Sequence, residues 1–211
     1  MNIISNTCLG ARLYQLNKCQ YTNPFMWNII ESSSMVNLIN MLDGRTDGLV
    51  KIQIRKSDYL SKRDKYRQIF ARRHEMIPTT FKLIVNDIIN IEYVHYIFSA
   101  KDNTPVKRDI NIYYNRIWEY IIGKYIERTK RMMVSNELPK FVITTAEPSY
   151  SIDKQYELIN CINKTPFKMC LITNDMTDGV NGNCKIIHAN IAKLDDTVVQ
   201  AKLFNKTIIQ W

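Results

Sequence analysis

The chain has 211 residues, 45% of them hydrophobic, with only six glycines and six prolines, so it can bury a full core and carries no linker-like stretch. No apolar run approaches the roughly 20 residues that cross a bilayer, and no basic segment precedes an apolar one at the start, so neither a membrane span nor a signal peptide is expected. The formal charge is +9, and the window 51–73 holds nine basic residues against Asp58 and Asp64, which favours anionic partners.

In chain order, a short apolar strand is predicted over 2–5, followed by a helix from about Thr7 to Asn17. Asn6 or Thr7 can cap that helix, and Leu9, Leu13 and Leu16 recur at helical spacing. Asn23-Pro24-Phe25 breaks the chain. A second helix runs from Ser32-Ser33-Ser34 to about Leu42 and stops at Asp43-Gly44. Residues 49–55 alternate apolar with polar and read as a half-buried strand. The basic stretch 58–73 reads as helical and ends at Pro78. Phe81–Val85 and Ile91–Phe98 read as strands, the second the most β-like run of the chain.

Residues 106–134 form the longest helical pattern, with Gly123 as a candidate break. Strands follow at 141–145, 167–172 and 184–187, with a helix at 151–162 between the first two. Strand, helix, strand at that spacing is a βαβ unit with a right-handed crossover and a parallel sheet. The tail Thr207–Trp211 reads as a short apolar segment packed on the sheet. The expected architecture is a single α/β domain over 1–211, in three layers, with a mostly parallel sheet and helices on both faces.

The five cysteines are Cys8, Cys19, Cys161, Cys170 and Cys184. An odd number without a CxxC pair indicates neither a disulfide framework nor a zinc ribbon, and points to a reducing, cytoplasmic setting. Cys8 falls where the first strand ends and the first helix begins. Unpaired backbone N–H groups and the helix dipole at that place favour thiolate, so Cys8 is a candidate nucleophile; the alternative is a small buried hydrophobe. A thiol nucleophile needs a base, and the chain offers His74, His95 and His188. His95, in the aromatic strand, is the candidate base, with Asp102 or Asn103 to orient its ring; Asp87 is a further acid nearby. Backbone donors at Cys8-Leu9 would hold an oxyanion, and Gly10 would let substrate approach the backbone.

Arg128 and Arg131 lie three apart on one helix face and could clamp a phosphate or carboxylate; the alternative is surface pairing with Glu127. No GxGxxG, GxxxxGK[ST] or HExxH occurs, and the acids show no metal-ligand spacing, so no cofactor and no metal are expected.

Ile4-Ser5-Asn6-Thr7-Cys8-Leu9-Gly10, then Tyr14, then Tyr21-Thr22-Asn23-Pro24-Phe25, resembles the opening of a bacterial family from exopolysaccharide and capsule loci. Phe81–Asp87 followed by Ile91–Tyr96 resembles that family's His-Tyr segment. Tyr125–Met132, with Arg128 and Arg131, is similar to its Trp-x-x-Arg-x-x-Arg pattern. Phe141–Thr144, Pro166–Thr173 and Ile209-Gln210-Trp211 match in the same order. Pro24-Phe25-Met26-Trp27 also looks like an element of a related group described as papain-like cysteine peptidases. The second glycine that follows Cys-x-Gly in the family is Ala11 here.

The Cys8–His95 reading points to an acyl-transfer or hydrolytic enzyme, and the resemblance, whose best-matching segments hold both residues, implies a surface glycan or its precursor as the target. Cys8 and His95 would be catalytic, and Asn6, Gly10, Arg128 and Arg131 would meet an anionic glycan or sugar-phosphate substrate. Two alternatives stand beside it. One is a sugar-phosphate-binding transferase with its ligand at the C-terminal ends of the parallel strands. The other is an adaptor that binds nucleic acid or an anionic membrane surface through residues 51–73.

Overall fold

The structure is a computed structural model and describes residues 2–26, 28–44, 52–53, 76–85, 89–99, 110–145, 149–190 and 197–211. The elements are β1 (Ile3–Ser5), α1 (Leu9–Leu16), β2 (Asn28–Ile30), α2 (Ser32–Asp43), β3 (Ile52–Gln53), β4 (Met76–Val85), β5 (Ile89–Ser99), α3 (Ile110–Val134), β6 (Lys140–Thr144), α4 (Ile152–Ile162), β7 (Lys168–Thr173), β8 (Gly179–Asn181), β9 (Cys184–His188) and α5 (Thr197–Gln210).

Five strands form a mostly parallel sheet in the order β1-β6-β7-β9-β8, in which only β8 runs antiparallel to its neighbour. Alternation along each strand divides the core in two. Ile4, Phe141, Ile143, Met169 and Leu171 face one side, where they meet α2, α4 and the end of α3 through Leu38, Leu158, Tyr125 and Met132. Ile3, Val142, Cys170 and Ile172 face the other, against Leu13 of α1 and Phe204 and Ile208 of α5. The result is the expected α/β architecture, with helices on both faces.

A second sheet, not foreseen from the sequence, has the order β2-β5-β4-β3 and is antiparallel throughout. Its base joins the first core through Ile30, Ile89 and Ile91. Two bonds fasten β2 to the parallel sheet: Ile30 N–H donates to Asn6 O at 3.0 Å, and the Tyr150 hydroxyl donates to Ile30 O at 2.6 Å.

Several expectations change in detail. Pro78 does not end a helix; it sits inside β4, opposite Ile97. Among the described residues β3 pairs with β4 only at Ile84 and Val85, away from Pro78. Gly123 does not split α3, which is continuous from Ile110 to Val134. The tail at Thr207–Gln210 is the last turn of α5. The Lys140 ammonium closes that turn by donating to the carbonyls of Ile208 at 2.8 Å and Ile209 at 3.2 Å. Of the basic window 51–73, only Ile52–Gln53 is among the described residues, so the expected helix there lies outside them.

Candidate functional site at the C-terminal edge of the parallel sheet

Adjacent strands β1 and β6 send their helices to opposite faces: α1 joins the face that carries α5, and α4 the face that carries α2. Open parallel sheets take their ligands beyond the carboxyl ends of the strands where neighbouring helices diverge in this way. Residues 6–8 follow β1 there, Thr145 follows β6, and Thr173 and His188 end β7 and β9 in register with each other.

Asn6 is expected to meet substrate, but its side chain is committed to the fold. It is fully buried, donates to Thr144 O at 2.8 Å and accepts from Thr144 N–H at 2.9 Å. The carboxamide thus imitates one more strand residue and zips the end of β1 to β6. Gly10 has a packing reason as well: a Cβ at this position would stand 2.9 Å from Ser5 Cβ, so its bare backbone lets α1 close on β1.

Cys8 is the N-cap residue of α1, in right-handed helical conformation, and makes no side-chain cap. Its carbonyl accepts Arg12 N–H at 3.1 Å, while Thr7 Oγ1 accepts Leu9 N–H at 3.4 Å. The thiol is only 7% exposed. Burial pushes its pKa up from 9 to about 11; the Arg12 guanidinium opposes that rise without cancelling it. The thiolate expected from the helix dipole is therefore not favoured at rest: loss of hydration outweighs dipole and charge.

His95 lies in the other sheet. Register places Thr79 opposite Tyr96 and Phe81 opposite Tyr93, so Val94 and His95 together oppose Thr80. Two residues against one is the count of a β-bulge, a feature that recurs beside active sites. Two positions before the bulge residue His95, Tyr93 pairs with Asn28 of β2, the strand fastened to Asn6. The His95 side chain, Asp87, Asp102, Asn103 and His74 lie outside the described residues, and with them the Cys8–His95 pair and its orienting acid.

Arg128 and Arg131 are linked to the start of β1, whereas Cys8 follows its end. Arg131 donates to Tyr21 O at 3.0 Å and pairs with Glu127, and the Arg128 guanidinium lies 5.1 Å from the centre of the Tyr21 ring. Tyr21 packs edge-on against Tyr14, whose hydroxyl accepts Ile3 N–H at the start of β1. The arginines therefore serve the entry side of the strands, and the surface-pairing alternative with Glu127 is the one observed for Arg131.

Two features of this edge are not visible in the sequence. The first is a hydrogen-bond chain. The Thr145 hydroxyl donates to Thr173 Oγ1 at 3.3 Å, the Thr173 hydroxyl donates to Gln155 Oε1 at 2.9 Å, and Gln155 Nε2 donates to Asp175 Oδ2 at 2.5 Å and to Tyr150 O at 2.9 Å. Thr173 and Gln155 are fully buried, whereas Asp175 is exposed. The only signal in sequence is a lone Thr-Asn-Asp after an apolar strand, which is common in turns. The second is Asn28, fully buried with neither amide atom hydrogen-bonded.

His188, the remaining histidine, is exposed and tied to the loop before β8. Its N–H donates to Asp178 Oδ1 at 2.7 Å, and its Nδ1 lies 2.9 Å from Met176 O. No group of metal-ligating side chains occurs among the described residues, and none of their helices is long and apolar enough to cross a membrane. Neither a family model nor a curated protein matches the chain.

Proposed function

We propose that the protein is an enzyme of glycan assembly that binds a sugar phosphate in the crevice between the carboxyl ends of β1 and β6. The observation that carries this reading is the divergence of α1 and α4 to opposite faces of the sheet from adjacent strands. Open parallel sheets take their ligands at such points, because the loops part there and helix starts offer amides and positive dipole ends to anions. The net charge of +9 suits an anionic ligand. The resemblance to the exopolysaccharide and capsule family supplies the glycan.

In this reading Cys8 shapes the crevice and does not attack. Its burial and its raised pKa support that role. The test is Cys8→Ala: affinity for glucose 1-phosphate, measured by calorimetry, should stay within about twofold of the parent protein. Loss of binding in the variant would overturn it.

The thiol-nucleophile reading survives as a rival on one observation, the bulge that sets His95 apart on β5. It requires Cys8 to take up an acyl group. Incubation with p-nitrophenyl acetate near neutral pH, followed by intact mass and peptide mapping, distinguishes the two. Acetylation confined to Cys8 favours the nucleophile; an unmodified Cys8 favours the sugar-phosphate reading.

A further inference from the structure

We infer that Asp175 is a ligand-binding carboxylate that accepts hydrogen bonds from the hydroxyl groups of a sugar ring at the C-terminal edge of the parallel sheet. The inference rests on the sugar-phosphate reading and extends it, by assigning the group that recognises the sugar as distinct from the phosphate.

The argument begins with the cost of the arrangement. Gln155 is a fully buried polar residue on α4, a helix whose inward positions are otherwise apolar in Leu158, Ile159 and Ile162. A buried carboxamide is tolerated only when its hydrogen-bonding capacity is met. Here it is met in full: Oε1 accepts from Thr173, and Nε2 donates to Tyr150 O and to Asp175 Oδ2.

Each partner has one role available. The Asp175 carboxylate can only accept, so Gln155 must present its amide nitrogen there and its oxygen to Thr173. Thr173 must then donate, and its oxygen in turn accepts from Thr145 and from Asp175 N–H at 3.0 Å. The Thr173 hydroxyl has Gln155 Oε1 at 2.9 Å and Asp175 Oδ2 at 3.4 Å as acceptors, and the chain ends on an exposed carboxylate just beyond β7.

That carboxylate is fixed through Oδ2 from a rigid, buried base, while the group itself faces solvent. Binding groups are effective when their orientation is set before the ligand arrives. An oriented carboxylate offers acceptor sites only, and its natural complement is a neutral donor array such as adjacent ring hydroxyls. Phosphate, itself an anion, would be repelled. In the crevice reading, then, the phosphate keeps away from Asp175 and the sugar ring faces it.

The test compares two probes, glucose 1-phosphate and inorganic phosphate, on the full chain and on Asp175→Asn. The asparagine keeps an oxygen for Gln155 Nε2 and replaces the other acceptor with a donor. The variant should lose about tenfold or more in affinity for glucose 1-phosphate, keep its affinity for inorganic phosphate, and melt within a few degrees of the parent. Asp175→Ala, which removes both carboxylate oxygens and leaves Gln155 Nε2 with its bond to Tyr150 O, should show the same split together with a lower melting temperature. Unchanged affinity for glucose 1-phosphate in both variants would overturn the role of Asp175 and leave the crevice reading standing. Equal loss of both probes would also overturn it. A parent protein that binds neither probe would sink the crevice reading itself, and this inference with it.

Discussion

The Cys8 thiol shows how position and environment can oppose each other at one residue. A helix start lowers a thiol pKa; removal from water raises it. At 7% exposure the second effect wins, and the value rises to about 11. Iodoacetamide near pH 7.5 should therefore modify exposed Cys19 well before Cys8, and faster labelling of Cys8 would refute the assignment. Sequence locates Cys8 correctly at the strand–helix junction, because chain order fixes that. Burial depends on how the chain packs around that junction, which local pattern does not contain.

Gly10 carries a second prediction at this scale. Gly10→Ala gains helix propensity of up to about 1 kcal/mol. It also brings a Cβ to 2.9 Å from Ser5 Cβ, closer than real contacts allow. Forced displacement in a packed core costs about 1–3 kcal/mol, so the variant should be destabilised on balance in urea melts. Ser5→Gly in the same chain should restore part of the loss by removing the opposing atom; no recovery would contradict the contact.

At the level of elements, the long periodic segments are legible and the short ones are not. α2, α4, β6, β7 and β9 lie where spacing places them, because each presents a complete apolar face. β2 and β8 are three residues each, too short for a period of two to declare itself. Most of α5 is hidden although Ala201, Phe204 and Ile208 recur at helical spacing, since only its apolar end stands out from the polar residues around it. The antiparallel sheet is hidden for want of β2, the strand that joins it to the rest.

That strand holds the clearest unfavourable group in the described fold. Asn28 is fully buried and neither amide atom is bonded. Asn28→Leu, close in shape, removes a desolvation cost of about 1–3 kcal/mol and should raise stability. Asn6 is the opposite case: Asn6→Leu strands the N–H and C=O of Thr144, at about 1–3 kcal/mol for each group left unpaired. Urea denaturation of both variants checks the pair, and a stabilised Asn6→Leu would contradict the zipper.

For the whole molecule, three buried thiols make stability depend on alkaline pH. Burial raises Cys8 and Cys170 to about 11 and Cys184 to about 12 from an ordinary 9. An acid whose pKa is higher folded than unfolded stabilises the fold while it stays protonated. That contribution is complete below pH 9 and is lost as pH climbs through 11 to 12. A tenfold difference in acidity between the folded and the unfolded chain is worth about 1.4 kcal/mol, so stability should fall steeply in alkali. Cys184→Ala should make the fall shallower, and an identical alkaline profile would contradict the assignment.

The architecture is largely legible from the βαβ spacing, because two strands joined through one helix of that length must run parallel. The site is only half legible. The βαβ order implies a shared carboxyl edge of the parallel strands, whereas the adjacency of β1 and β6 and the orientation of Asp175 by Gln155 and Thr173 arise only on folding. Arg128 and Arg131 look equally suited to an anion in sequence, yet they serve Tyr21 at the other end of the strands.

The most direct test is a titration of the ¹⁵N-labelled chain with glucose 1-phosphate, followed amide by amide. The perturbed signals should gather at Cys8, Leu9, Thr145 and Asp175, beyond the carboxyl ends of the strands. A cluster at Tyr21, Arg128 and Arg131 instead would place the ligand at the wrong end of the sheet and refute the crevice as the binding site.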